Sequence, residues 1–438
     1  MILRNGNIVN DGRIFKGDIV VEGDFIVDIL PAGSELSSDK EIFDLDGLYV
    51  FPGVIDTHVH FREPGSTQKG CIASESAAAA LGGVTSYIDM PNNNPAAVTL
   101  DALENKFEIA ERDSTVNYSF FLGGTNNNLD EVKRADFRHI PGVKVFLGSS
   151  TGNLLMDGKA AIHRLFEESP ALVMAHCEDN GIIKAATEAA VAKYGIEIPF
   201  SEHPIIRSRE ACIAATKYAI DLALECNTRF HVAHLSTAEE VEMLKDVCKK
   251  SDRITGETCV QYLWFNRADY DDFGPLIKCN PAIKEVSDME ALREAVCEGL
   301  LNVSTDHAPH LLSEKQNPYS ESPSGIPLVQ YSLKMMLELS KKGEFPLERV
   351  VSAMCHEPAS RFRIEKRGWI KKGYFADFVI VDMNAASDSK PASRCGWSPV
   401  SKFSSSILHT ISNGKFVVKD GALTGIKSAK ALNFSQSK

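Results

Sequence analysis

The sequence predicts an α/β protein: a closed (β/α)8 barrel carrying a small β-sandwich domain assembled from both ends of the chain. Three observations carry that expectation. Residues 1–52 and 366–438 are rich in short β-like runs, whereas residues 53–365 alternate β-branched runs with helix-like stretches. Eight such runs occur in the middle, the number a closed barrel needs. No G-x-G-x-x-G turn follows an early strand, which an open nucleotide-binding sheet would present.

In the N-terminal part, apolar runs at 18–21 and 25–29 are set off by Asn5-Gly6, Asp11-Gly12 and Glu22-Gly23 turn signals. The barrel strands are expected at 53–60, 84–90, 116–122, 142–147, 171–176, 229–234, 254–260 and 301–306. Stretches such as 238–249 and 287–298, rich in Ala, Glu, Leu and Lys, supply the intervening helices. The β style returns at 376–382 and 411–418.

Bulk properties narrow the function. A chain of 438 residues with net charge -12 lacks the basic stripe of a nucleic-acid surface, although a local arginine can still bind an anionic substrate. No run of some 18 apolar residues spans a membrane, and the start lacks the layout of a signal peptide. Ten cysteines without a C-x-x-C pair are expected to be reduced core residues of a cytoplasmic protein, Cys177 and Cys279 included.

In a barrel the chemistry sits at the C-terminal ends of the strands. There the first strand carries His58-Val59-His60, the fifth His176, the sixth His234 and the eighth Asp306, all metal-ligand types. The H-x-H pair alone is a weak signal, and each single histidine has a core residue as its rival explanation; the combination points to a metal site. Residues two apart on a strand share a side, so His58 and His60 converge with Arg62 beyond them. Asp56 lies on that side too, as an orienting partner or simply a buried hydrogen-bonding residue, while His231 should face away from His234. Lys144 stands in a run that otherwise reads as a buried strand. A buried ammonium must find a carboxylate or lose its charge, and a neutral amine can take up carbon dioxide to become an anionic carbamate.

Asp56-Thr57-His58-Val59-His60-Phe61-Arg62-Glu63-Pro64-Gly65, Met90-Pro91-Asn92 and Asp306-His307-Ala308-Pro309-His310, with the closing Gly373-x-x-Ala376-Asp377, resemble the dihydroorotase branch of the amidohydrolase superfamily. The resemblance runs over nearly the whole chain. It implies a metal-dependent amidohydrolase barrel with two divalent ions, usually zinc. His58, His60 and Asp306 would hold the buried ion, His176 and His234 the outer one, and carboxylated Lys144 would bridge them. Some relatives bridge with an aspartate a few residues downstream, but Ser149-Ser150-Thr151 offers no carboxylate. Arg62, Asn92 and His310 would read the substrate carboxylate, and Asn280 with the Pro323–Gly325 backbone (Pro323 and Gly325) would contact the ring. The implied reaction is reversible closure of N-carbamoyl-L-aspartate to L-dihydroorotate, a step of pyrimidine synthesis. In it a metal-bridged hydroxide attacks and Asp306 acts as base and then acid. A homodimer is the family expectation. The rivals are an allantoinase or hydantoinase, whose substrates lack the ring carboxylate, and a non-catalytic scaffold, which would have lost ligands that this chain keeps.

Overall fold

The computed structural model describes residues 1–35, 40–148 and 154–436. The N-terminal part contributes β1 (Ile2–Asn10), β2 (Arg13–Glu22), β3 (Phe25–Pro31), β4 (Ile42–Asp44) and β5 (Tyr49–Pro52). Then come β6 (Val54–Val59), β7 (Val84–Asp89), β8 (Asn117–Phe120) continued by β9 (Leu122–Gly123), and β10 (Gly142–Phe146). They are followed by β11 (Leu172–His176), β12 (Phe230–Val232), β13 (Ile254–Cys259) and β14 (Leu301–Ser304). The last part adds β15 (Phe378–Asp382), β16 (Ser387–Asp388), β17 (Lys402–Phe403), β18 (Ser406–Ser412), β19 (Lys415–Lys419) and β20 (Ala422–Leu423).

Strands β6 to β14 pair in parallel and in order, giving the eight staves of the barrel. The third stave is β8 and β9 together, interrupted at Phe121, whose N–H turns to Asp89 O at 3.1 Å. The ring closes where His60 N–H donates to His307 O at 2.7 Å, beside a parallel bridge from Val59 to His307. Every residue of β6, β7, β10 and β11 is buried, because side chains on one face fill the barrel and those on the other meet helices. That two-sided burial is why these strands appear in the sequence as unbroken apolar runs. Helices Ala238–Cys248 and Val286–Cys297 fall within one residue of expectation; Thr237 caps the first by accepting Glu240 N–H at 3.2 Å.

The two chain ends meet in one sheet, ordered β20-β19-β18-β15-β5-β1-β2-β3, with β4 added to β1. The antiparallel pairing of β15 with β5 joins them. Leu3, Ile8, Ile19, Phe378, Ile380 and Ile411 form its core. Between β18 and β19, Asn413 and Gly414 both take positive φ, 49° and 71°, the two-residue turn that matches hairpin twist. Parts of the C-terminal segment leave this sheet for the barrel. Trp397 Nε1–H donates to His310 O at 2.7 Å, Arg394 N–H to Glu75 Oε1 at 3.0 Å, and Leu432 N–H to Tyr118 O at 2.9 Å. Among the described residues, no helix is long and apolar enough to cross a membrane.

Candidate metal centre

His58 is the fifth residue of β6 and His60 follows its end, so strand parity puts both over the barrel mouth. Asp306, His234 and Arg62 come just after strand ends with left-handed backbones, φ 48°, 38° and 67°. Such conformations cost non-glycine residues roughly 1–3 kcal/mol and gather where side chains must be aimed. The possible ligand atoms of His58, His60 and Asp306 all lie within 4.8 Å of one another. Asp306 Oδ1 is 2.8 Å from His60 Nε2 and 3.4 Å from His58 Nε2.

The hydrogen bonds behind these rings test whether a cation fits. His58 Nδ1 is 2.7 Å from Glu257 Oε1, and His60 Nδ1 is 2.6 Å from Asn92 Oδ1. Burial opposes a charge on Glu257, but His231 and His58 hold its carboxyl well below the usual range. Both acceptors therefore draw the ring proton to Nδ1 and leave Nε2 with its lone pair. Two lone pairs then face a carboxylate oxygen. Double protonation of His58 does not relieve this, because burial and then Lys144 push it down to about 4. Three buried electron-pair donors converging in this way fit a metal ion.

On the other side of the mouth, His176 Nδ1 lies 2.9 Å from His234 Nε2. His176 Nε2 lies 2.9 Å from Glu178 Oε2, close enough for a charged contact though not aligned as a full hydrogen bond. Arg207 clamps the same carboxylate with contacts of 3.0, 3.2 and 2.6 Å. Burial works against a charge on Glu178, yet Arg207 and His176 hold it ionised, far below the ordinary carboxylate range. Lys144 is fully buried on β10 and its Nζ has no hydrogen-bond partner. Burial brings its pKa down to about 8. The carboxylate partner that a salt-bridged lysine would need is absent among the described residues, whereas a lysine that gains a carbamate would suit this position. Residues 149–151, where no bridging carboxylate was found in sequence, lie outside the described residues.

A cavity of about 90 Å³ opens over these groups, lined by Arg62, Asn92, Asn280, His310, Ser324 and Gly325 among others. Half-buried Arg62 spends its guanidinium on Pro309 O, 3.1 Å from Nε, and on His310 Nε2, 2.9 Å from Nη2. Among the described residues no carboxylate pairs with it. Lys69 Nζ is 3.2 Å from the other ring nitrogen of His310, and burial together with these cations keeps His310 neutral. Asn280 Oδ1 is buried without a partner beside the cavity. Gly325, at φ 150°, passes so near Ala308 that a Cβ would stand 2.4 Å from its carbonyl oxygen. Its N–H is already given to Lys278 O at 2.8 Å, and Pro323 O accepts from Lys315 Nζ at 2.9 Å; Pro323 is not among the cavity's lining residues.

Asp56 takes the plainer of its two roles. It accepts from Thr305 Oγ1 at 2.6 Å and from the backbone of Thr305 and His58, tying β6 to the end of β14; burial raises its pKa to about 7. His231 turns away from His234 to Thr255, 2.8 Å from its hydroxyl. Cys177 and Cys279 are buried thiols whose pKa burial pushes up, the latter to about 12. Sequence reasoning missed Glu257, Glu178 and Arg207. Two signals were available: Glu257 is a charge inside a buried strand, as Lys144 is, and Glu178 stands two residues beyond His176.

These features define a metal-dependent cyclic amidohydrolase. Residues 49–417 match the amidohydrolase family model, and the chain belongs to that family. It is 34% identical over 401 residues to a dihydroorotase of Halobacterium salinarum, covering 90% of each chain. It is 31% identical over 449 residues to an allantoinase of Desulfitobacterium hafniense, covering 99% of this chain and 98% of that one. Among solved structures, the L-hydantoinase (dihydropyrimidinase) of Arthrobacter aurescens superposes with TM-score 0.94 at 25% identity over 99% of both chains.

Proposed function

We propose that the chain is a dihydroorotase, closing N-carbamoyl-L-aspartate to L-dihydroorotate with loss of water and catalysing the reverse. The observation that carries this reading is Arg62, a cation at the cavity with no carboxylate partner among the described residues. A guanidinium so placed suits a substrate carboxylate, which accepts two parallel hydrogen bonds from it. The dihydroorotase among the relatives supports the same reading.

His58, His60 and Asp306 would hold one divalent ion, His176 and His234 a second, and carboxylated Lys144 would bridge them; zinc suits this donor set. Ions bound there supply a Lewis acid and a water of lowered pKa. The protein's own groups do the rest. Asp306, held below its ordinary pKa against burial by His58, His60 and Lys144, is a base in the resting site. It takes a proton from the water that attacks the ring carbonyl and returns it to the departing ring nitrogen. In the synthetic direction a protonated Asp306 assists loss of water. Asn92, while orienting His60, and His310 would stand with Arg62 at the carboxylate end, and Asn280 with Ser324 and Gly325 would border the ring.

An allantoinase or hydantoinase is the second reading, favoured by the allantoinase that aligns over 99% of this chain. Kinetics on dihydroorotate, allantoin and hydantoin, for the parent and Arg62→Ala, separate the two. Loss of the charged pair should cost about ten- to a hundredfold in kcat/KM on dihydroorotate and little on the other rings. Faster turnover of allantoin by the parent, or indifference of dihydroorotate turnover to Arg62→Ala, would overturn the proposal.

A further inference from the structure

Behind the wall that Ser324 and Gly325 give the metal cavity, two lysines are buried and spend themselves on backbone carbonyls. Lys315, at the end of the short helix Leu312–Lys315, is fully enclosed, and Lys278 is 6% exposed. Lys315 Nζ donates to Pro323 O at 2.9 Å and to Lys278 O and Gly325 O, each at 3.1 Å. Lys278 Nζ donates to Tyr319 O and Ser322 O, each at 2.6 Å, and lies 4.2 Å from the centre of the Tyr319 ring. Among the described residues no carboxylate pairs with either ammonium.

The carbonyls held by Lys315 belong to two segments that wall the cavity. Ser324 and Gly325 line it from one, and Asn280, two residues after Lys278, lines it from the other. Lys315 Nζ bonds to both segments, and Gly325 N–H donates to the same Lys278 O at 2.8 Å. Ser322 Oγ–H completes the clasp by donating to Lys315 O at 2.9 Å. A shift of this wall would reach the cation of the site. Ser324 O lies 3.1 Å from His310 Nε2, the atom that Arg62 meets at 2.9 Å.

An ammonium in the interior is costly unless its N–H groups are met. Lys315 has three, and three carbonyls meet them. Burial still pushes Lys315 down to about 7 and Lys278 to about 8, so neither is a favourable way to fill space. A methionine would fill a similar volume without that cost, but it would leave the carbonyls unheld. We propose that Lys315 is a positioning residue for the reaction: its one ammonium sets the spacing between Asn280 and the Ser324–Gly325 backbone, and with it the fit of a ring between them. It acts through these walls and does not touch the substrate. This role rests on a cyclic amide's occupying the cavity, and not on that amide's being dihydroorotate.

The substrate for the test is whichever of dihydroorotate, allantoin and hydantoin the parent turns over fastest, so a failure of the dihydroorotase reading leaves the test intact. In the metal-loaded full chain, Lys315→Met should raise KM about tenfold, the scale of one lost hydrogen bond from a charged donor. Turnover at saturation should stay within about twofold of the parent, and metal content should be unchanged. Lys315→Gln keeps neutral N–H donors and should raise KM only about threefold; it serves if Lys315→Met fails to fold. A lysine that served stability alone would lower the urea midpoint and leave the KM of the folded enzyme as it was. An unchanged KM in either folded variant, or a fall in kcat that tracks loss of metal, would overturn the proposal.

Discussion

Replacing Glu178 by glutamine probes the least expected part of the metal centre. The side chain keeps its shape but loses the charge that faces His176 Nε2 at 2.9 Å and Arg207 at 2.6 to 3.2 Å. Without that charge, His176 is no longer driven to carry its proton on Nε2, and its Nδ1 lone pair is less available beside His234. Partners that orient a metal-ligating histidine typically contribute 10- to 100-fold in affinity, about 1.4–2.8 kcal/mol. A second cost falls on folding, because Arg207 is left buried opposite a neutral amide; breaking such a pair costs on the order of 3–5 kcal/mol. The two effects separate with a double variant, Glu178→Gln with Arg207→Gln, which removes both charges and should recover stability without recovering metal affinity. Metal retained after dialysis against graded chelator, together with urea unfolding of the same samples, measures both. A folded Glu178→Gln protein that holds its metal as tightly as the parent would refute the reasoning.

Lys144→Ala should lose close to one equivalent of metal per chain, and a short-chain carboxylate added during reconstitution should restore part of it; metal analysis decides, and full loading without rescue counts against a carbamate bridge. Trp397→Phe removes the N–H that holds His310 O, and the loss of about 1 kcal/mol should raise KM for an anionic substrate roughly fivefold with little change in kcat. His356 is buried against Trp369, ring centroids 5.2 Å apart, and burial, with Arg349 adding to it and Asp11 opposing it, pushes its pKa from 6.5 down to about 4. Its folded pKa lies below its unfolded one, so its contribution is whole above pH 6.5 and falls as pH drops towards 4, by about 3 kcal/mol in all. Urea melts at pH 7 and pH 5 should therefore show a steeper acid loss for the parent than for His356→Gln.

The barrel was legible in the chain because its signals are local. Runs such as those around Lys144 and His176 are apolar on both faces wherever β10 and β11 are covered on both faces, and strand parity follows from backbone geometry alone. The same locality placed His58, His60, His176, His234 and Asp306 at strand ends, and it marked Lys144 as a charge out of place. Partnership is not local. Glu257 reaches His58 across 199 positions and Arg207 reaches Glu178 from a separate helix-bearing segment, so only the closed ring brings them together. Nor could the chain show that Asp56 serves the seam with Thr305, 249 positions away, or that Arg62 meets His310 and, among the described residues, no acid. Residue type and periodicity determined which groups point into the mouth of the barrel. Which of them donate, which are neutralised and which charge is left for a ligand was decided by burial and by neighbours that only the folded chain supplies.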